Sequence, residues 1–143
     1  MFGEFKVAHL LGVTRGNEPI FRHVETELTK QGYICFAPVI YEFDVYLEHK
    51  RMLKDMCYEK LLMTDICVVV TPWHIGKSTK LRIDQSLGLG KPVFVWDNGE
   101  LVPFSKDSLI QKENGVLAFD STNQTHSWGA GRSPNPTLIL ENK

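Results

Sequence analysis

At 143 residues, with 43% hydrophobic and 23% charged positions, the chain has the composition of one soluble globular domain with a sizeable core, and it is too short for two comfortable ones. Sixteen basic residues against seventeen acidic ones give a net charge of -1, without a long basic run or basic aromatic strip, so nucleic acid is not an expected partner and a small ligand is. No apolar run approaches membrane-spanning length, so no membrane partner is expected either.

Phe5 to Leu11 reads as a first strand, ended by Gly12. The following GVTRGNEPIF forms a turn in which Asn17 caps a helix and Pro19 occupies the first turn, where a missing N–H costs nothing. Phe21, Val24 and Leu28 fall at helical spacing, and Gly32 is the stop expected after Lys30 and Gln31. Tyr33 to Val39 makes a second strand, giving way at Pro38 to a polar-aromatic loop, YEFDVYLEHKR, that places Glu42 and Asp44 near the strand's carboxyl end. From Lys50 to Thr64, Leu53, Cys57 and Leu61 outline an amphipathic helix, with Met56 and Lys60 beside them. The cysteines Cys35, Cys57 and Cys67 lie in apolar stretches with no CxxC or Cys/His ligand spacing, as expected of reduced thiols in an intracellular protein, and Cys57 itself reads as a core thiol. His9, His23, His49 and His126 share no metal-ligand spacing, so neither a metal nor a cofactor is expected.

Asp65 to Asn98, DICVVVTPWHIGKSTKLRIDQSLGLGKPVFVWDN, organises the rest. Its unbroken apolar runs, Ile66 to Val70 and Pro92 to Trp96, are strands buried on both faces, which places them inside a parallel sheet. Between them lies a helix from Ser78 to Leu89. The pattern βαβαβαβ predicts an α/β fold: an open, doubly wound, Rossmann-like or flavodoxin-like parallel sheet of four to five strands in three layers, α/β/α. In such sheets ligands sit at the carboxyl ends of the strands, where a helix begins with unpaired N–H groups that attract anions. Beyond Asp97 the signal weakens, with Leu109-Ile110 expected in a short helix and Val116 to Phe119 in a last strand. The domain is thus expected over residues 1–119, followed by a polar arm over 120–143. The opening residues, with Glu4, pass straight into a strand without a signal-sequence pattern, so a cytoplasmic location is expected.

Gly76-Lys77-Ser78-Thr79 is similar to the end of a phosphate-binding P-loop, but the glycine that such a loop needs five residues earlier is Thr71, followed by Pro72 and Trp73. That bulky triplet does not wrap its amides around a triphosphate. Ser78 and Thr79 remain placed either to donate to a phosphate or sugar or, for Ser78, simply to cap the helix. His74 can hydrogen-bond a phosphate or base from the same loop, and Trp73 either stacks on a base or packs.

The run MLKDMCYEKLLMTDICVVVTPWHIGKSTKLRIDQSLGLGKPV resembles the middle of the nucleoside 2-deoxyribosyltransferase-like family, including its nucleotide N-glycosidase branch. There a helix ends at an Asp before an apolar strand, and after a loop a Gly/Ser-Thr-x-x-Glu segment opens a helix reaching Leu-Gly-Lys-Pro-Val. Gly12, Thr14, Arg15 and Gly16 also resemble the family's Gly-Ser-x-Arg-Gly turn, with Val13 in place of Ser, so the likeness spans roughly residues 5 to 97. The resemblance implies cleavage of an N-glycosidic bond by a Glu nucleophile assisted by a second acid, in the manner of two-carboxylate glycosidases. In this chain the nucleophile's position holds Arg82 and the assisting acid's position holds Cys57. A guanidinium offers only donors and does not attack carbon.

Asp84 lies two residues after Arg82, and Asp55 two before Cys57, an offset that turns a helical side chain by about 200°. Asp84 could then stand in only with a register shift or a bulge, and Glu42 and Asp44 at the end of strand two are better placed; these three are the candidate replacement acids, in competition with a reading as solvated carboxylates. The ligand-binding set is Gly12, Thr14, Arg15, His74, Gly76, Ser78, Thr79 and Arg82, with the Arg strengthening an anion site at a helix start. Three functions stay open: binding of a nucleotide, nucleoside phosphate or ADP-ribose-like molecule without cutting it; an active deoxyribosyltransferase or N-glycosidase using the replacement acids; and an interaction module with a vestigial pocket. The resemblance further implies a homodimer or larger homo-oligomer, with Asn123 to Arg132, including Trp128, completing a neighbour's pocket.

Overall fold

The first strand, β1 (Lys6–Leu11), is buried from Val7 onward and lies inside the sheet. In the computed structural model, which describes residues 4–38 and 47–120, it is followed by α1 (Glu18–Lys30), β2 (Tyr33–Phe36), α2 (Lys50–Met63), β3 (Ile66–Val69), α3 (Lys77–Gly88), β4 (Val93–Asp97) and β5 (Glu100–Pro103). A short 3-10 turn (Lys106–Ser108) then leads to β6 (Leu109–Gln111) and β7 (Leu117–Phe119). Glu42, Asp44 and the segment from Asn123 to Arg132 lie outside the described residues.

The main sheet runs β2-β1-β3-β4-β5. Its first four strands are parallel, and both unbroken apolar runs, β3 and β4, are internal, as expected. Strand alternation divides the core. Ala8, Leu10, Ile66 and Val68 meet Phe21, Val24 and Leu28 of α1 on one face, while Leu11, Cys67, Val69, Val93 and Val95 meet Leu61 of α2 and Ile83 of α3 on the other. Helices on both faces make the three-layer α/β/α architecture, and the strand order reverses between β1 and β3, where such sheets open a crevice.

Local chemistry explains the element ends. Asn17 stands at the start of α1, yet its side-chain amide donates to the Val13 carbonyl at 2.9 Å and not to the helix; Pro19 supplies the preset backbone. The start of α3 is Gly76, so Ser78 is not its cap and belongs instead to the first turn. Lys91, from the Leu-Gly-Lys-Pro run, donates to the carbonyls of Leu62 and Thr64 at 3.3 and 2.7 Å and so closes the carboxyl end of α2.

Two corrections concern the region after Asp97. Asn98 and Gly99 both have positive φ, +52° and +83°, and turn the chain into a hairpin, so β5 pairs antiparallel with β4 as an edge strand absent from the sequence reading. Leu109-Ile110 is not helical; it forms β6, which pairs with β7 in a separate two-stranded ribbon. That ribbon braces the β3–α3 loop, because Ile75 donates to the Leu117 carbonyl and Phe119 to the Pro72 carbonyl, both at 2.8 Å.

Candidate functional site

Gly12 ends β1 with φ of +146°, and a methyl group at its α-carbon would come within 2.5 Å of the Thr71 side-chain oxygen. That close approach lets the Val13 amide donate to Thr71 Oγ1 at 3.0 Å, tying the β1 turn to the end of β3. Beside this tie, at the carboxyl end of β1, lies a cavity of about 460 Å³, within the size range of small-molecule sites. Its walls come from the end of β1, the turn carrying Thr14 and Arg15, one side of α2 and the first turns of α3.

Of the predicted ligand-binding residues, Gly12, Thr14, Arg15, Ser78, Thr79 and Arg82 line this cavity together. His74 and Gly76 do not: His74 is exposed on the braced loop, and Gly76 serves as the helix start. Asp84 is also outside it, for its Oδ2 accepts from Lys80 at 2.8 Å and its Oδ1 lies 3.7 Å from Lys106. Asp55 lines a second groove on the outer side of α2 and α3 instead, as an offset of about 200° from Cys57 requires, and Lys54, Leu81 and Arg82 border both spaces. Cys57 and Arg82 share the cavity.

Arg82 reaches across from α3. Its Nη1 donates to Gln85 Oε1 at 2.7 Å and its Nη2 to the Lys54 carbonyl at 3.4 Å, and it also borders the outer groove that Asp55 and Glu59 line. Lys50, Lys54 and Lys60 join it from α2, and Arg15 from the β1 turn. At 100° per residue, Lys50, Leu53, Lys54, Cys57 and Lys60 fall within an arc of about 120° of the helix. Thus five of the sixteen lining residues are cationic, and among the described residues no carboxylate lines the cavity.

His9 sits among these cations and was absent from the predicted set. It is 4% exposed, its Nδ1 has no hydrogen-bond partner, and it lies edge-on to Phe36. Burial, then the charges of Lys60 and Arg82, push its pKa down to about 4, so the ring is neutral at physiological pH. A histidine inside an otherwise apolar strand was the signal for it. For the lysines the signal was the 50, 54, 60 spacing, which reads equally as the solvated side of an amphipathic helix.

The lining offers what an anion would need, cationic side chains together with hydroxyl and backbone donors at the start of α3, and Leu53 and Leu81 add an apolar surface. The three cysteines are free thiols, and among the described residues no cluster of His, Cys, Asp or Glu is placed to hold a metal ion. Nor is any described helix long and apolar enough to cross a membrane. In comparisons with known proteins, no family model matches the chain and no curated protein matches it.

Proposed function

We propose that this protein binds a phosphorylated nucleoside or a related nucleotide-derived anion and holds it intact, in a sequestering or sensing role. One observation carries the reading: the cavity at the switch between β1 and β3 gathers five cations, with no lining carboxylate among the described residues. Glycosidic cleavage requires a nucleophilic carboxylate beside the sugar and an acid for the leaving group. Where the resembled family has those acids, this cavity has Arg82 and Cys57. A guanidinium binds phosphate in place of attacking carbon. The nucleoside part of the reading comes from the resemblance over residues 5 to 97 and from the apolar wall of Leu53 and Leu81.

Calorimetric titration with the four deoxynucleoside 5′-monophosphates and the matching nucleosides tests this reading. At least one monophosphate is expected to bind at least tenfold more tightly than its nucleoside, and Arg82→Gln to weaken it about tenfold, roughly 1.4 kcal/mol. After prolonged incubation the nucleotide is recovered whole. Equal binding of nucleoside and nucleotide contradicts the proposal, and steady release of free base that Glu42→Gln or Asp44→Asn abolishes establishes the glycosidase in its place.

The same proposal includes a homo-oligomer in which Asn123 to Arg132 reaches a neighbour's cavity. Truncation after Asp120 is then expected to lower the sedimentation coefficient or weaken nucleotide binding. A truncated chain that sediments as the full chain does per unit mass, with unchanged affinity, removes the arm from the account.

A further inference from the structure

Charge counting takes the ligand's chemistry further, on the premise that the cavity binds an anion. A single phosphomonoester brings at most about two negative charges. Facing the cavity are Arg15, Lys54, Lys60 and Arg82, besides Lys50. They are also spread out: Lys50 and Lys60 are separated by about 15 Å along α2, and Lys54 and Lys60 by about 9 Å, at 1.5 Å per residue. One phosphate seated against Ser78 and Thr79, with Arg82 one turn further along α3, is not placed to engage both Lys54 and Lys60 on α2. Lys60 of α2 and Arg82 of α3 lie near enough to His9 to add, after burial, to the lowering of its pKa. His9, buried at the cavity wall with its Nδ1 unpartnered, adds no charge of its own there.

We propose that the cavity takes a ligand carrying two neighbouring phosphate groups, one held by Ser78, Thr79 and Arg82 at the start of α3 and the other by Lys54 and Lys60 along α2. The shared chemistry is a diphosphate, whose source is either a nucleoside diphosphate or a free inorganic one. This rests on the nucleotide reading above only for the organic part of the ligand. Compensating the cations that line one cavity also lowers their mutual repulsion, so diphosphate binding is favoured beyond the contacts of one added group.

The test is calorimetry at fixed low ionic strength on the full chain, with AMP, ADP, inorganic phosphate and inorganic pyrophosphate as probes. ADP is expected to bind at least tenfold more tightly than AMP, and pyrophosphate at least tenfold more tightly than phosphate. The double variant Lys54→Gln/Lys60→Gln is expected to weaken both diphosphate probes at least tenfold, while its melting temperature without ligand stays equal or rises, which shows that it folds. AMP and ADP binding within twofold of each other overturns the two-phosphate inference and leaves the nucleotide reading standing, as does a double variant that binds ADP unchanged. Pyrophosphate binding with no response to any nucleotide supports the two-phosphate site and overturns the nucleotide reading.

Discussion

Gly12→Ala is expected to destabilise the fold by about 3 kcal/mol, lowering the melting temperature by roughly 10 °C. Two effects add. The φ of +146° is one that a residue with a Cβ rarely adopts, and the new methyl group would stand 2.5 Å from Thr71 Oγ1 and 3.2 Å from Phe21 Cζ. Thr71 is fully buried and already engaged by the Val13 amide, so it has no room to retreat. Removing that oxygen offers a check. Thr71→Ala alone is expected to cost about 1–2 kcal/mol by leaving the Val13 donor short of a partner. In the double variant, relief of the contact makes the combined cost smaller than the sum of the two. Strict additivity in thermal or denaturant melts would show that the close approach is not what the glycine serves.

Acidification from pH 6.5 to 4 is expected to remove about 3 kcal/mol of stability through His9 alone. In the unfolded chain its imidazole takes up a proton near pH 6.5, whereas the folded chain resists until about pH 4, because of burial first and then of Lys60 and Arg82. The unfolded state therefore binds more protons across that interval. Stability is fully retained above pH 6.5, falls as pH drops towards 4, and loses nothing more from this group below it. Carboxylates also titrate at the acid end, so the measurement is the difference in slope between the wild type and His9→Gln in urea melts at several pH values. Parallel slopes for the two proteins would mean that His9 is accessible to protons in the folded state.

The sheet was legible because its strands write their burial into composition. Ile66 to Val70 and Pro92 to Trp96 are apolar without alternation, and both run through the middle of the sheet. The edge was harder to see. Only Val102 of β5 is buried, so an apolar run never forms there, and the readable signal was the Asn98-Gly99 pair, whose positive φ angles suit a tight hairpin. Leu109-Ile110 misled for a related reason, since β6 is three residues long and gains its pairing from β7, a contact no short window contains.

The site divides along the same line. Gly12, Thr14, Arg15, Ser78, Thr79 and Arg82 lie on loops and helix starts at the carboxyl ends of strands, positions the βα order predicts to converge. The cationic row on α2 was hidden by its ambiguity. Lysines at helical spacing beside Leu53 and Leu61 describe a solvated side as well as a cavity wall, and the packing of α2 beside α3 decides between them. Asp84 shows the converse. Its proximity in sequence to Arg82 suggested a replacement acid, but Lys80, one helical turn before it, holds it outside the cavity.

Arg82 decides the account, and the position of a bound phosphate is its most direct measure. In a crystal of the full chain grown with a saturating nucleotide, a phosphorus atom is expected between the Arg82 guanidinium and the Ser78 hydroxyl, with its oxygens within direct hydrogen-bonding reach of both. A nucleotide seated elsewhere on the surface, with the guanidinium still joined to Gln85 and the Lys54 carbonyl and turned from the ligand, would contradict it.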